Sequence, residues 1–256
     1  HALNSTFARS QIHGLVGKGT QPKLALFRIE QIRVPLPPID EQKKIAEILS
    51  AVDEAIEKTN AIIEKMKESK KGLTQRLLVN GIGHKKFKKT PLGNIPIEWE
   101  IRKLGDLCIG SPEYGANVPG RTYTKGLPRY IRITDITENG YLTDNGPKTI
   151  SNEDAQSYML SEGDLLFARS GATVGKTYLY QKSDGSCAFA GYLIRFKPNP
   201  QELLPEYLFQ VTHSEPYYRW VKGMLRAGAQ PNINATEYAD LRIAVPSVSE
   251  QRKILT

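Results

Sequence analysis

The residues most able to do chemistry lie between positions 170 and 177, where Ser170, Gly171, Ala172, Thr173, Val174, Gly175, Lys176 and Thr177 end in the Gly-Lys-Thr of a phosphate-binding loop. The first glycine of G-x-x-x-x-G-K-[ST] falls on Ser170, however, and no strong helix pattern follows to offer its N-terminus to a phosphate. Ser170 is no better placed as a nucleophile, because the G-x-S-x-G elbow is absent. His1, His13, His84 and His213 are scattered, without H-E-x-x-H or a cysteine or carboxylate at ligand spacing, so metal catalysis has no footing. Elimination favours a nonenzymatic role.

Ser111, Pro112, Glu113 and Tyr114 stand one residue away from the Ser-Pro-Pro-aromatic tetrad that grips a flipped base for methyl transfer, with Glu113 in place of the second proline and no glycine-rich cofactor loop nearby. Basic, aromatic and amide side chains are instead interleaved in what read as loops. One group is Tyr114, Arg121, Tyr123, Lys125, Arg129 and Arg132; a second is Arg169, Ser170, Thr173 and Lys176; a third is Arg219, Lys222, Arg226, Gln230, Asn232 and Asn234. Arg and Lys pair with phosphate or guanine, and Gln and Asn with adenine edges, so Tyr114, Arg121, Tyr123, Lys125, Arg132, Arg169, Ser170, Thr173, Lys176, Arg226, Gln230 and Asn232 are the candidate DNA-binding residues. Arg169, Thr173 and Lys176 flank a glycine-rich loop where backbone can approach a phosphate, although a tight structural turn explains those glycines equally well.

The chain that must position these residues has 256 of them, with 35 Lys plus Arg against 27 Asp plus Glu, a formal charge of +8 and 39% hydrophobic residues. That length allows one or two domains, and no apolar run approaches the roughly 18 residues of a membrane span. A pI near 9.3 makes a polyanionic partner plausible. Cys108 and Cys187 alone, without C-x-x-C spacing, suit a reducing compartment, and a cytoplasmic location is expected. No membrane partner is expected. A start at His1 without an export segment suggests that the chain begins inside a longer protein.

An internal repeat bears on that suggestion. Ile12 to Ile45 matches Val221 to Ile254 without a gap at an offset of 209, with ten identities in 34 positions, among them Gly14/Gly223, Gln21/Gln230, Arg33/Arg242, Pro37/Pro246, Glu41/Glu250 and Gln42/Gln251. The expectation is two copies of a roughly 209-residue unit, the first lacking its front and the second its tail. After Asp40 the strongest periodicity in the chain runs from Glu41 to about Val79. Ile45, Leu49, Val52, Ile56, Thr59, Ile63, Met66, Lys70, Leu73 and Leu77 alternate steps of four and three, which predicts one long helix with a coiled-coil seam about 60 Å long. The apolar seam residues Ile45, Leu49, Val52, Ile56, Ile63, Met66, Leu73 and Leu77 are the candidates for helix pairing, and self-association through them is one way to cover the seam.

From about 90 to 246 the pattern shortens. Strands are predicted at Tyr130 to Ile136, Leu165 to Ala168, Thr177 to Tyr180, Tyr192 to Phe196 and Leu241 to Val245, with helices at Pro205 to Thr212 and Pro216 to Leu225, an α+β domain joined to the long helix. Residues 1–38 read as the last strand and helix of an equivalent domain, 39–82 as the spacer helix, 83–246 as the recognition domain and 247–256 as the start of a second spacer helix.

Taken together, this arrangement resembles the DNA-specificity subunit of Type I restriction-modification enzymes. The likeness rests on Pro-Leu-Pro-Pro-Ile-Asp-Glu-Gln at 35–42, on Gly93, Ile95, Pro96, Trp99 and Leu104, on Gly126 to Ile136, and most distinctively on LSEGDLLFARSGATVGK at 160–176. The resemblance implies two target-recognition domains with an antiparallel helical spacer, each domain reading one half of a split site on double-stranded DNA. It also implies no catalysis and no cofactor in this chain: docked modification (methyltransferase) subunits bind S-adenosylmethionine and methylate adenine, and a restriction subunit cleaves. Two other readings stay open on the residues alone, a coiled-coil scaffold whose globular part binds protein and an independent methyltransferase.

Overall fold

The computed structural model describes residues 2–16, 23–225 and 230–256, and the chain divides into two compact units at residues 69 and 70. In the first unit Ser5 starts helix α1 (Thr6–Leu15) by accepting from the backbone N–H of Ala8 at 3.2 Å. After α2 (Leu26–Ile29), Gln11 clamps the returning chain: its Nε2 donates to the Arg33 carbonyl at 2.8 Å and its Oε1 accepts from the Arg33 N–H at 3.0 Å. Helix α3 (Ile39–Asn80) follows as 42 unbroken residues, opened by Asp40 and Glu41, which complement the positive end of the helix dipole. The predicted helix is thus observed, a residue or two longer at each end. Its seam is bare: Ile45, Leu49, Val52, Ile56, Ile63 and Met66 are all exposed, and Ala8 is the one buried apolar residue described in this unit.

In the second unit hairpin β1 (Phe87–Thr90) and β2 (Gly93–Pro96) leads to β3 (Glu100–Lys103). Strands β4 (Glu113–Tyr114), β5 (Arg121–Thr122), β6 (Arg129–Ile131) and β7 (Lys148–Thr149) precede helix α4 (Asn152–Ala155). Next come β8 (Leu165–Ala168), β9 (Thr177–Leu179), β10 (Cys187–Phe189) and β11 (Leu193–Phe196), then helices α5 (Pro205–Val211), α6 (Glu215–Met224) and α7 (Ala235–Ala239), strand β12 (Arg242–Val245) and helix α8 (Val248–Leu255). One four-stranded sheet runs β10-β6-β7-β5, another β4-β11-β8-β9, and β12 pairs antiparallel with β3.

Strand β8 is buried on both faces, and the period of two explains how it serves two cores. Leu165 and Phe167 enter the larger one with Trp99, Phe196, Tyr207 and Tyr238, under α5, α6 and α7. Leu166 and Ala168 enter a second with Ile131, Phe189 and Leu193. Prediction and structure differ at 133–136, where Ile133–Asp135 forms a 3-10 turn instead of strand. Asp135 accepts from the Arg132 backbone N–H at 2.8 Å and so closes that turn. They differ also at Arg33–Leu36, the counterpart of β12 in the repeat, which is not strand, since no equivalent of β3 lies beside it among the described residues.

The Glu-Gln pair that opens the second copy of the repeated helix is an anchor. The Glu250 carboxylate accepts from the Ile82 N–H at 3.0 Å, His84 Nε2 at 2.8 Å and the Trp99 indole N–H at 3.1 Å. Gly81, at φ +62°, has room for no side chain there, because an added Cβ would stand 2.5 Å from Glu250 Oε1. Gln251, fully buried, bonds three backbone groups of the unit.

Candidate nucleic-acid interface

Strands β6, β8 and β10 end at one rim. The Ala190 N–H donates to the Ile131 carbonyl at 2.9 Å and the Arg169 N–H to the Tyr192 carbonyl at 3.0 Å, so Arg132, Arg169 and Tyr192 all follow strand ends that are tied together. Tyr114 joins them through β4, which pairs with β11 in the register Ile194↔Tyr114. The approach is tight. A Cβ on Gly115 would lie 2.4 Å from the carbonyl oxygens of Phe189 and Ala190, so only glycine lets β4 come this close.

At the rim the Arg169 guanidinium lies 4.8 Å above the Tyr114 ring, and the Tyr114 hydroxyl accepts from the Ala235 N–H at 3.1 Å. Segment 230–235 is laced to the same edge: Gly171 N–H donates to the Pro231 carbonyl at 3.0 Å, Ile233 N–H to the Arg169 carbonyl at 2.9 Å, and Ser170 and Asn232 form a bridge. Thr173 closes the glycine-rich turn by donating to the Ser170 carbonyl at 3.1 Å. Tyr114, Arg169, Ser170, Thr173, Gln230 and Asn232, drawn from three separate stretches of chain, therefore share one edge, with Gln230 and Asn232 exposed.

The other predicted cations are engaged differently. Lys176 pairs with Glu138 at 2.8 Å, and Arg132 holds the buried Asp135 with two hydrogen bonds of 2.9 and 2.6 Å; Lys176 and Arg132 are themselves half-buried. Arg121, Tyr123 and Lys125 are exposed on β5 and the segment after it, and Tyr123 lines a cavity of about 480 Å³ with Arg129, Asp144 and Asp184. Arg226 lies outside the described residues. Tyr192 is expected from the sequence only as the first residue of a strand, yet it precedes β11, is 60% exposed, and its carbonyl accepts from the Arg169 N–H. The signal was a large aromatic directly after Gly191, between two apolar runs, where an exposed ring marks a turn.

Buried charge holds the rim in place. Arg195 on β11 pairs with Glu113, donates to the Met159 carbonyl at 2.7 Å, approaches Asp164 at 3.5 Å and stacks over Phe189 at 5.0 Å. Desolvation pushes the Glu113 carboxyl up, but the Arg195 hydrogen bond and the charges of Arg195 and Lys197 outweigh it and hold the carboxyl below its usual range. Glu113 stays ionised, and that ion pair fixes the strand that presents Tyr114. Burial pushes the Cys108 thiol up to about 12 and the Cys187 thiol up to about 11, which leaves neither a nucleophile at neutral pH. Among the described residues no group of three His, Cys, Asp or Glu is placed to hold a metal ion, and no helix is long and apolar enough to cross a membrane.

Comparison with known families finds the Type I restriction modification DNA specificity domain at residues 3–68 and again at 96–256, most of the chain. The chain belongs to that family. Among its curated relatives the specificity domain here is 28% identical over 261 residues to the Type I restriction enzyme MjaVIII specificity subunit of Methanocaldococcus jannaschii, covering 98% of this chain and 59% of the relative. It is 26% identical to the EcoBI specificity subunit of Escherichia coli, covering 96% of this chain and 55% of that subunit. The chain thus spans between half and two thirds of these relatives. The fold of the HsdS subunit from Thermoanaerobacter tengcongensis superposes with a TM-score of 0.52 at 20% identity, over 97% of this chain and 59% of that one. A chain from a structure of a Type I restriction-modification system superposes at 0.58 with 21% identity, over 98% and 59%. These likenesses give the fold, a mixed sheet unit joined to a long helix.

Proposed function

We propose that this chain is a noncatalytic DNA-recognition component of a Type I restriction-modification complex, in which each recognition domain reads one half of a bipartite site on double-stranded DNA. In this reading residues 83–246 are one reader, and Tyr114, Arg169, Ser170, Tyr192, Gln230 and Asn232 line its DNA-facing edge. The observation that carries it is the rim itself: an arginine stacked on an exposed tyrosine, flanked by amides, on the edge that a glycine-only approach brings together. Guanidinium and amide groups are the side chains that pair bidentately with guanine and adenine edges. The bare seam of α3 supports helix pairing as a spacer, and helical register in DNA converts spacer length into the base-pair gap between half-sites.

The reactive machinery is assigned to partners. Modification subunits would dock on the chain, bind S-adenosylmethionine and methylate adenine, and a restriction subunit would cleave. The decisive experiment exchanges residues 90–246 for those of a relative, co-expresses the modification partner and maps methylated adenines across a genome. One half-site should change while the other persists. Unchanged methylation, or saturable S-adenosylmethionine binding by the chain alone, refutes the proposal.

A further inference from the structure

The formal charge of +8 is unevenly spread. Residues 98–256, which hold the recognition rim, carry 18 Lys plus Arg and 18 Asp plus Glu, and residues 1–69 carry ten against nine. The 28 residues between them contain Lys70, Lys71, Arg76, Lys85, Lys86, Lys88 and Lys89 and no acidic residue at all. Nearly the whole excess therefore sits on the last turns of α3 and the hairpin β1–β2, and the stretch that carries the rim, residues 98–256, is balanced in charge. The two stretches matched by the family model also leave residues 69–95 out.

The fold displays this charge instead of neutralising it. The hairpin is seated by Ile95 and Pro96, which are buried, and by Lys88, whose Nζ donates to the carbonyls of Ile97 at 2.9 Å and Trp99 at 2.5 Å. Lys85, Lys86 and Lys89 are exposed, as are Lys70, Lys71 and Arg76, and none of these six forms an ion pair among the described residues. Phe87, 43% exposed, shares its face of the strand with Lys89. Glu98 and Glu250, at the base of the hairpin, are already taken by His84 at 3.1 and 2.8 Å. Seven cations in 28 residues, none ion-paired among the described residues, repel one another in the free protein, and a polyanion removes that repulsion.

We infer that the β1–β2 hairpin, with the end of α3, is a second DNA contact that takes backbone phosphates whatever the base sequence. The inference rests on the DNA-recognition reading above and divides the labour within the reader: the charge-balanced stretch that carries the rim discriminates bases, and the basic hairpin at its start supplies the phosphate term that sets affinity and register. DNA is favoured over an acidic protein surface because an aromatic ring is interleaved with lysines on the hairpin's exposed face, where it can lie against sugar or base.

The test uses the full chain with its modification subunits, comparing wild type with the triple variant Lys85→Gln, Lys86→Gln, Lys89→Gln, and measures affinity for a random-sequence duplex and for the methylated site's own sequence between about 50 and 200 mM salt. Each lost phosphate contact lowers the slope of log affinity against log salt by about 0.9, so the triple variant should lose up to about 2.7 in slope. Both duplexes should weaken by the same factor. The charge-retaining Lys→Arg triple should keep the wild-type slope, which separates lost charge from lost folding. An unchanged slope overturns the inference. So does loss of co-purifying subunits with the slope intact, which would make the patch a protein contact, and so does weakening confined to the methylated site's sequence, which would make the hairpin a base reader. A wild-type complex without affinity for either duplex would instead overturn the DNA-recognition reading itself.

Discussion

Replacing Gln251 by alanine should be among the costliest single changes in the second unit, and the structure says by how much. Gln251 Oε1 accepts from the Leu204 N–H at 2.8 Å, and Nε2 donates to the carbonyls of Glu202 at 2.8 Å and Pro246 at 3.0 Å. Alanine strands one backbone donor and two acceptors. A buried polar group without a partner costs about 1–3 kcal/mol, and because Leu204 and Glu202 are half-buried and each carbonyl keeps a second lone pair, the sum should come to about 3–5 kcal/mol. That is a large share of the roughly 5–15 kcal/mol that holds a domain together. Among the described residues the side chain of Gln42, its counterpart in the first copy of the repeat, bonds only the Pro37 carbonyl at 2.7 Å, so Gln42→Ala should cost no more than about 1 kcal/mol. Both tryptophans, Trp99 and Trp220, lie in the second unit, so fluorescence in a urea titration reports Gln251→Ala there, and circular dichroism reports Gln42→Ala. A cost for Gln251→Ala below about 1 kcal/mol, or equal costs for the two variants, would show that Gln251 does not anchor the second unit.

The His84 clamp should be sensitive to pH. The hydrogen bond that His84 donates to Glu250 raises its pKa above 6.5, burial opposes this, and the charges of Glu250 and Glu98 add to the rise, so the stabilisation is complete below pH about 6.5 and fades as pH climbs through the raised value. The melting temperature of the second unit should fall over that range, and His84→Gln should flatten the profile; an equally steep profile in the variant would remove His84 as the cause. Gly115→Ala should force β4 away from Phe189 and Ala190 at a cost of about 1–3 kcal/mol and weaken DNA binding with it, whereas a variant as stable as wild type would show that the strands have slack. Arg169→Ala should lower duplex affinity while costing only about 0.5–1 kcal/mol of stability from its lost contact with Tyr114. Unchanged duplex affinity in that variant would take Arg169 off the DNA-facing edge.

Legibility followed how local the signal was. Helix α3 was readable because its 3–4 spacing is carried by consecutive residues, and β8 because a short apolar run between turn residues permits little else. Arg33–Leu36 shows the limit: it copies the Arg242–Val245 sequence pattern, but a strand is a pairing, and only the second copy has β3 beside it. The aromatic after Gly191 hinted that Tyr192 sits at a turn, but its place on the rim comes from the β10–β11 turn meeting Arg169, which no local pattern carries.

The amino-acid order was enough for the long seam, the repeated Glu-Gln pair, the family and the concentration of positive charge in residues 70–97. Tertiary structure alone decided which cations remain unpaired. Lys176 and Arg132 look as free as Arg169 along the chain, yet Glu138 and Asp135 engage them, while Arg169 finds Tyr114 from 55 positions away. The physical reason is range: periodicity acts over a few residues and survives in one dimension, whereas the field at a side chain is summed over neighbours that only the folded backbone brings within a few ångströms.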